Sequence, residues 1–168
     1  MNALFPYLTV TIALFVQITI SPYLKVDLVH PDFVLIVTLS WVILRGLDEG
    51  VFIAIFAGIG LDIFSGASFG IFSLSIGLTA LLTNLVHDRV FGTNNLILPA
   101  ALILPATVFF IGFAAFLLIQ LGHPMSWDTL LTNIILPVAL LNTAVMVPVF
   151  FTLYIFNRLL TPSEALTW

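Results

Sequence analysis

The sequence predicts an all-α integral membrane protein with six transmembrane helices, and three observations carry that prediction. First, 61% of the 168 residues are hydrophobic and only 7% are charged, where a soluble domain carries about 25% charged residues. Second, the 4 Lys or Arg and 8 Asp or Glu fall in clusters that leave long uncharged stretches between them. Third, the mean hydropathy is +1.25. So few charges cannot cover the surface of a water-soluble fold, which excludes a soluble enzyme, a disordered chain and a nucleic-acid binder with its basic face. Cysteine is absent, so disulfides, thiol chemistry and thiolate metal sites are excluded too.

The charge clusters delimit the elements. Lys25, Asp27 and Asp32 come first, then Arg45, Asp48 and Glu49, then Asp88 and Arg89, and last Asp128, Arg158 and Glu164. Spans are predicted at about 3–20, 31–46, 50–64, 71–86, 96–121 and 130–157. The first has no basic region before it and no small-residue cleavage site, so it is expected to be a retained helix. The second and third have only 12 and 14 core residues. A re-entrant hairpin there would hold Arg45, Asp48 and Glu49 near the bilayer midplane, at roughly 2.5–3.5 kcal/mol each. Spanning costs less: Pro31 suits a first helical turn, and Arg45 can snorkel to the interface. The fifth and sixth spans are long and carry Pro99, Pro105, Pro137 and Pro148, which membrane helices tolerate as kinks. Arg45, Arg89 and Arg158 fall inside and Lys25 outside when both termini are cytoplasmic, as the positive-inside rule requires. The outer loops are then about 21–30, 65–70 and 122–129, with Tyr23, Trp127 and Trp168 near interfaces. The whole chain, 1–168, reads as one polytopic domain.

Several constellations stand out. Gly46, Gly50, Ala54 and Gly58 recur every four residues, with Asp62 and Gly66 continuing the series. Such a series lets helix backbones approach closely. Ser73, Gly77, Ala80 and Asn84 form an answering face on the fourth span. The series packs either within the chain or against a partner's helix, and it is expected to tolerate Ala but not Leu. Asp62 is the one acid inside an apolar run. It serves proton, ion or ligand chemistry, or it accepts hydrogen bonds from the turn at Ser65–Gly66 and the start of the fourth span. The turn Gly66-Ala67-Ser68-Phe69-Gly70 matches the G-x-S-x-G nucleophile elbow, but that motif works on a strand-to-helix turn. His87-Asp88 lacks the paired spacing of a metal site. No catalytic residue, metal or cofactor is expected. Gln17, Asn84, Gln120, Asn133, Asn142 and Asn157 are scattered over four helices and form no pocket legible in the sequence.

His30-Pro31-Asp32-Phe33-Val34-Leu35-Ile36 leads into a short helix, Gly46 to Gly60 follow, and Leu61-Asp62-Ile63-Phe64-Ser65-Gly66-Ala67-Ser68-Phe69-Gly70 closes the stretch. This order resembles the bacterial rod shape-determining protein family MreD, specifically over about residues 30–85 and architecturally elsewhere. The resemblance implies a fold similar to the substrate-binding components of energy-coupling-factor transporters. It also implies a non-enzymatic scaffold of the elongation (rod) complex in the bacterial inner membrane, supporting lateral peptidoglycan synthesis and cell shape. The partners it implies are the single-span MreC as the direct contact, with MreB, the RodA glycosyltransferase and a penicillin-binding transpeptidase in the wider complex. A substrate-binding membrane component of a vitamin-type importer is the alternative. An intramembrane serine hydrolase using Ser68 is a more distant one.

Overall fold

A computed structural model describes residues 4–20, 23, 29–90 and 98–160. The expected placements of Ser21, Lys25 and Asp27 in the first outer loop, of residues 96–97 in the fifth span, and of Glu164 and Trp168 lie outside the described residues. The described residues form α1 (Leu4–Thr19), α2 (Phe33–Ser65), α3 (Ile71–Val90), α4 (Leu98–Gln120), α5 (Trp127–Leu130) and α6 (Leu136–Leu160). A π-helical turn, Leu131–Ile135, joins α5 to α6. It lies directly before Pro137, whose ring cannot sit against the preceding carbonyls of a regular helix, and a wider turn relieves that contact.

Gly46 breaks α2 with φ 76 and ψ −174, a conformation essentially confined to glycine. A Cβ built on Gly50 would lie 3.0 Å from the Cα of Val42. Along an unbroken helix those two positions are about 12 Å apart, at ~1.5 Å per residue. The chain therefore folds back on itself at Gly46. The expected loop around Asp48 and Glu49 is corrected: both are helical, because a single glycine makes the reversal. The start of α2 is corrected too. Pro31 precedes the helix, and Asp32 caps it by accepting from the Leu35 N–H at 3.0 Å. The fourth predicted span runs on to Val90, and the last begins at Trp127.

The two halves of α2, 33–45 and 47–65, differ in surroundings. Every residue from 34 to 42 is buried, with Trp41 against Phe5 and Thr9 of α1, Ser40 against Met146 of α6, and Val42 against Gly50 of the second half. Trp41, Leu35, Ile36 and Leu39 form the centre of the core with Ile53, Ile76, Ile103 and Met146. In the second half Ile53, Ala54, Ala57 and Gly58 face inward, while Phe52, Phe56, Ile63 and Phe64 are exposed.

Beside the apolar core, polar groups lie inside the bundle and large apolar side chains outside it. Thr38, Ser40, Asp62, Ser75, Thr79, Asn84, Thr107 and Asn142 are buried, while Leu8, Phe15, Leu74, Leu140 and Phe151 are exposed. Exposed apolar surface on this scale marks contact with lipid or protein. Four hydroxyls inside the bundle are satisfied locally: Ser40, Ser75, Thr79 and Thr143 each donate to the carbonyl four residues earlier, at 2.6–2.7 Å. That is the economy expected where no water competes for the backbone. Ala101–Gln120 and Trp127–Leu159 are long and apolar enough to cross a membrane, and Leu4–Thr19 and Ile71–His87 are shorter apolar helices.

Candidate functional site: polar junctions between helices

Asp62 sits one turn before the end of α2 and is 3% exposed. The chain then turns through Gly66 (φ 68) and Gly70 (φ 99), both in the left-handed region that favours glycine. Ser65 Oγ accepts from the Ala67 N–H at 3.2 Å and donates to the Asp62 carbonyl at 3.4 Å, which tightens the turn. Gly70 then stands where α3 begins. It has no side chain with which to cap the first N–H groups, which lack partners within the helix. Asp62 supplies the cap from the preceding helix. Its Oδ1 accepts from the Phe72 N–H at 2.8 Å, and its Oδ2 accepts from the Ser73 N–H at 3.1 Å and the Ser73 hydroxyl at 2.5 Å. A carboxylate there also meets the positive end of the α3 dipole. The structure thus brings Asp62, Ser65, Gly66, Gly70 and Ser73 together at one end of the hairpin.

The small-residue series divides. Gly58 is pressed against α3: a Cβ on it would lie 2.4 Å from Ser73 Cα and 2.8 Å from Ile76 Cγ2. Gly50 packs on Val42 of the same hairpin, and Ala54 is fully buried. These contacts lie within the chain. Ala at position 58 would therefore collide with backbone, which corrects the expectation that the series tolerates Ala. Gly77 does not belong to the answering face. A Cβ there would meet nothing within 4 Å, whereas Ser73, Ile76 and Ala80 make the contact side of α3. Gly46 and Gly66 serve backbone turns, not packing. Gly60, outside the series, meets Leu14 of α1.

Two further junctions escaped the sequence reading. At the start of α2, the Asp32 N–H donates to Asn142 Oδ1 and the Phe33 N–H to Gln17 Oε1, each at 2.8 Å. Asn142 Nδ2 in turn donates to Thr107 Oγ1 at 3.1 Å. Amides that look scattered in the sequence thus tie α1, α2, α4 and α6 at one point. At the Gly46 end, Arg45 is 8% exposed by its side chain, which donates to Asn157 Oδ1 at 3.0 Å and to Glu49 Oε2 at 3.1 Å. Its guanidinium lies 5.5 Å from the Trp41 ring centroid, and Trp41 Nε1 donates to Thr9 Oγ1 at 2.7 Å. The side chain of Arg45, expected to snorkel to the interface, is held by Asn157 and by the partly exposed Glu49. An aspartate directly before an apolar run was a legible capping signal; Arg45's partners 4 and 112 residues away were not all within reach of local pattern.

Ser68 lies exposed in a turn between two helices, without the strand on which a nucleophile elbow is built. Among the described residues no three His, Asp or Glu side chains gather as a metal site.

Residues 1–160 match the family described as rod shape-determining protein MreD. No curated protein and no solved structure matches the chain. The family is one of membrane proteins, in accord with helices apolar enough to cross a bilayer and an apolar exterior. With 160 of its 168 residues matched, this chain belongs to the MreD family of rod shape-determining proteins.

Proposed function

We propose that the chain is a non-enzymatic, multi-pass scaffold of the bacterial inner membrane that holds MreC in the elongation machinery and so supports lateral peptidoglycan synthesis. MreB, RodA and a penicillin-binding transpeptidase would belong to the wider complex. Six spans with both termini cytoplasmic suit the alternating order of helices, with α2 counted as two, and place Arg45, Arg89 and Arg158 on the inner side. The observation that carries the scaffold reading is Asp62. A carboxylate inside an apolar run is by default a functional group, yet this one accepts three hydrogen bonds that fix α3 on the α2 hairpin. It joins helices where a carrier would need it free to exchange protons or ions. The test is co-purification in mild detergent of the tagged chain with the MreC of the same bacterium. Retention of MreC, with rounded cells on depletion of the chain, is the expected result. Normal rods after depletion, with no MreC retained, would overturn the reading.

A further inference from the structure

Beside the start of α2 lies a void of about 350 Å³ that is open on one side. Its walls are apolar side chains of α4, including Phe110, Ala114 and Leu118, and Leu130 and Ile134 flanking and within the π turn. Asp32 and His30 also line it. We propose that this void is a binding site for an organic ammonium with an apolar body, with Asp32 as its counter-ion.

Four observations support this. The volume lies in the range of small-molecule sites, about 300–1,000 Å³, where a few placed polar groups orient an otherwise apolar ligand. The carboxylate is rigidly held: Asn142 accepts from its main-chain N–H, and the Leu35 N–H donates to Oδ1. A carboxylate against an apolar wall is stabilised by a cation and repels an anion, which selects the sign of the ligand. The wall opposite includes a π turn, and such turns recur at functional sites. Asp62, Gly50 and Gly58 are not part of this lining, although Phe72, whose N–H Asp62 caps, is. Ligand binding is therefore read separately from MreC retention, and its failure in a chain that still retains MreC would count against this site alone. The ammonium comes either from a soluble amine or from an aminophospholipid headgroup.

The test uses the full chain in nanodiscs of phosphatidylcholine and phosphatidylglycerol, with empty nanodiscs as the partition control. The probes are 1-naphthylmethylammonium, the neutral 1-naphthylmethanol and the anionic 1-naphthoate, measured by equilibrium dialysis. Saturable binding of the ammonium, at least about tenfold tighter than the alcohol, is expected, since both can donate to the carboxylate but only the ammonium also carries the opposite charge. Asp32→Asn keeps a capping oxygen and should erase the preference for the ammonium. Ala114→Phe should fill the void and remove saturable binding while leaving Asp32 in place. Phosphatidylethanolamine in the nanodisc would displace the probe if the lipid headgroup is the natural ligand, and undiminished binding would assign the site to a soluble amine. Equal uptake of all three probes by the wild-type protein, both variants and empty nanodiscs would overturn the proposal.

Discussion

The two halves of α2 are built from similarly apolar sequence, yet they solve opposite problems. Residues 34–42 are enclosed by protein on every side, and Trp41, Leu35 and Leu39 fill the core. Residues 47–65 present one face of Ala54, Ala57, Gly58 and Asp62 to the bundle and another of Phe52, Phe56 and Phe64 to the outside. A helix that is apolar all round is usually a buried one, and here the shortness of the first half matters little because protein, not lipid, surrounds it. What distinguishes the halves is the size of the side chains that face inward. The enclosed half uses bulk, and the two-faced half uses closeness. Substitutions should therefore have different effects in each half.

The largest effect is expected at Gly58. With Ser73 Cα only 2.4 Å from where a Cβ would stand, Gly58→Leu should yield no folded protein on detergent size exclusion. Gly58→Ala should fold with a lowered Tm, losing roughly 1–3 kcal/mol as overpacking does. A wild-type Tm for Gly58→Ala would show that α2 and α3 are further apart than described. Next comes Asp62. Asp62→Leu leaves the Phe72 and Ser73 N–H groups without partners, at about 1–3 kcal/mol for each buried unpaired group. Asp62→Asn retains one acceptor oxygen but turns an amide donor toward Ser73, so its Tm should fall between the other two. Equal Tm values for all three proteins would remove the cap from the account.

Gly46→Ala probes the hinge between the halves. Its Cβ would meet nothing within 4 Å, so any loss comes from backbone strain at φ 76, of order 1–3 kcal/mol. A loss of that size, without change in helix content by circular dichroism, is expected. The smallest effect belongs to the enclosed half. Thr38 is fully buried and its hydroxyl has no hydrogen-bond partner among the described residues. Replacing an unpaired buried polar group by an apolar one of the same shape is neutral or stabilising, so Thr38→Val should match or exceed the wild-type Tm. A clear loss would reveal a partner for that hydroxyl.

The comparison also shows what the sequence could convey. Helix positions follow from charge clusters, because charges cannot enter the bilayer cheaply. Asp62 was legible as a capping group because an acid one turn before Ser65-Gly66 faces local donors. Gly46 was misread as a packing residue, because a four-residue step describes a straight helix and cannot show that the chain reverses there, nor that a Cβ at Gly77 would meet nothing within 4 Å. The union of Asp32 with Asn142, 110 residues apart, depends on tertiary packing alone. So does the void that Asp32 lines: its walls come from loops and helices with no shared local pattern.

The central claim is that Asp62 holds helices together within a shape-determining scaffold and carries neither protons nor ions. Cell shape and MreC retention, measured for wild type, Asp62→Asn and Asp62→Leu at matched expression, test it most directly. Both readouts should fall in step with thermal stability, with Asn intermediate and Leu lowest. An Asp62→Asn protein that is stable, keeps MreC and still gives round cells would contradict it, since ionisation and not hydrogen bonding would then be what function requires.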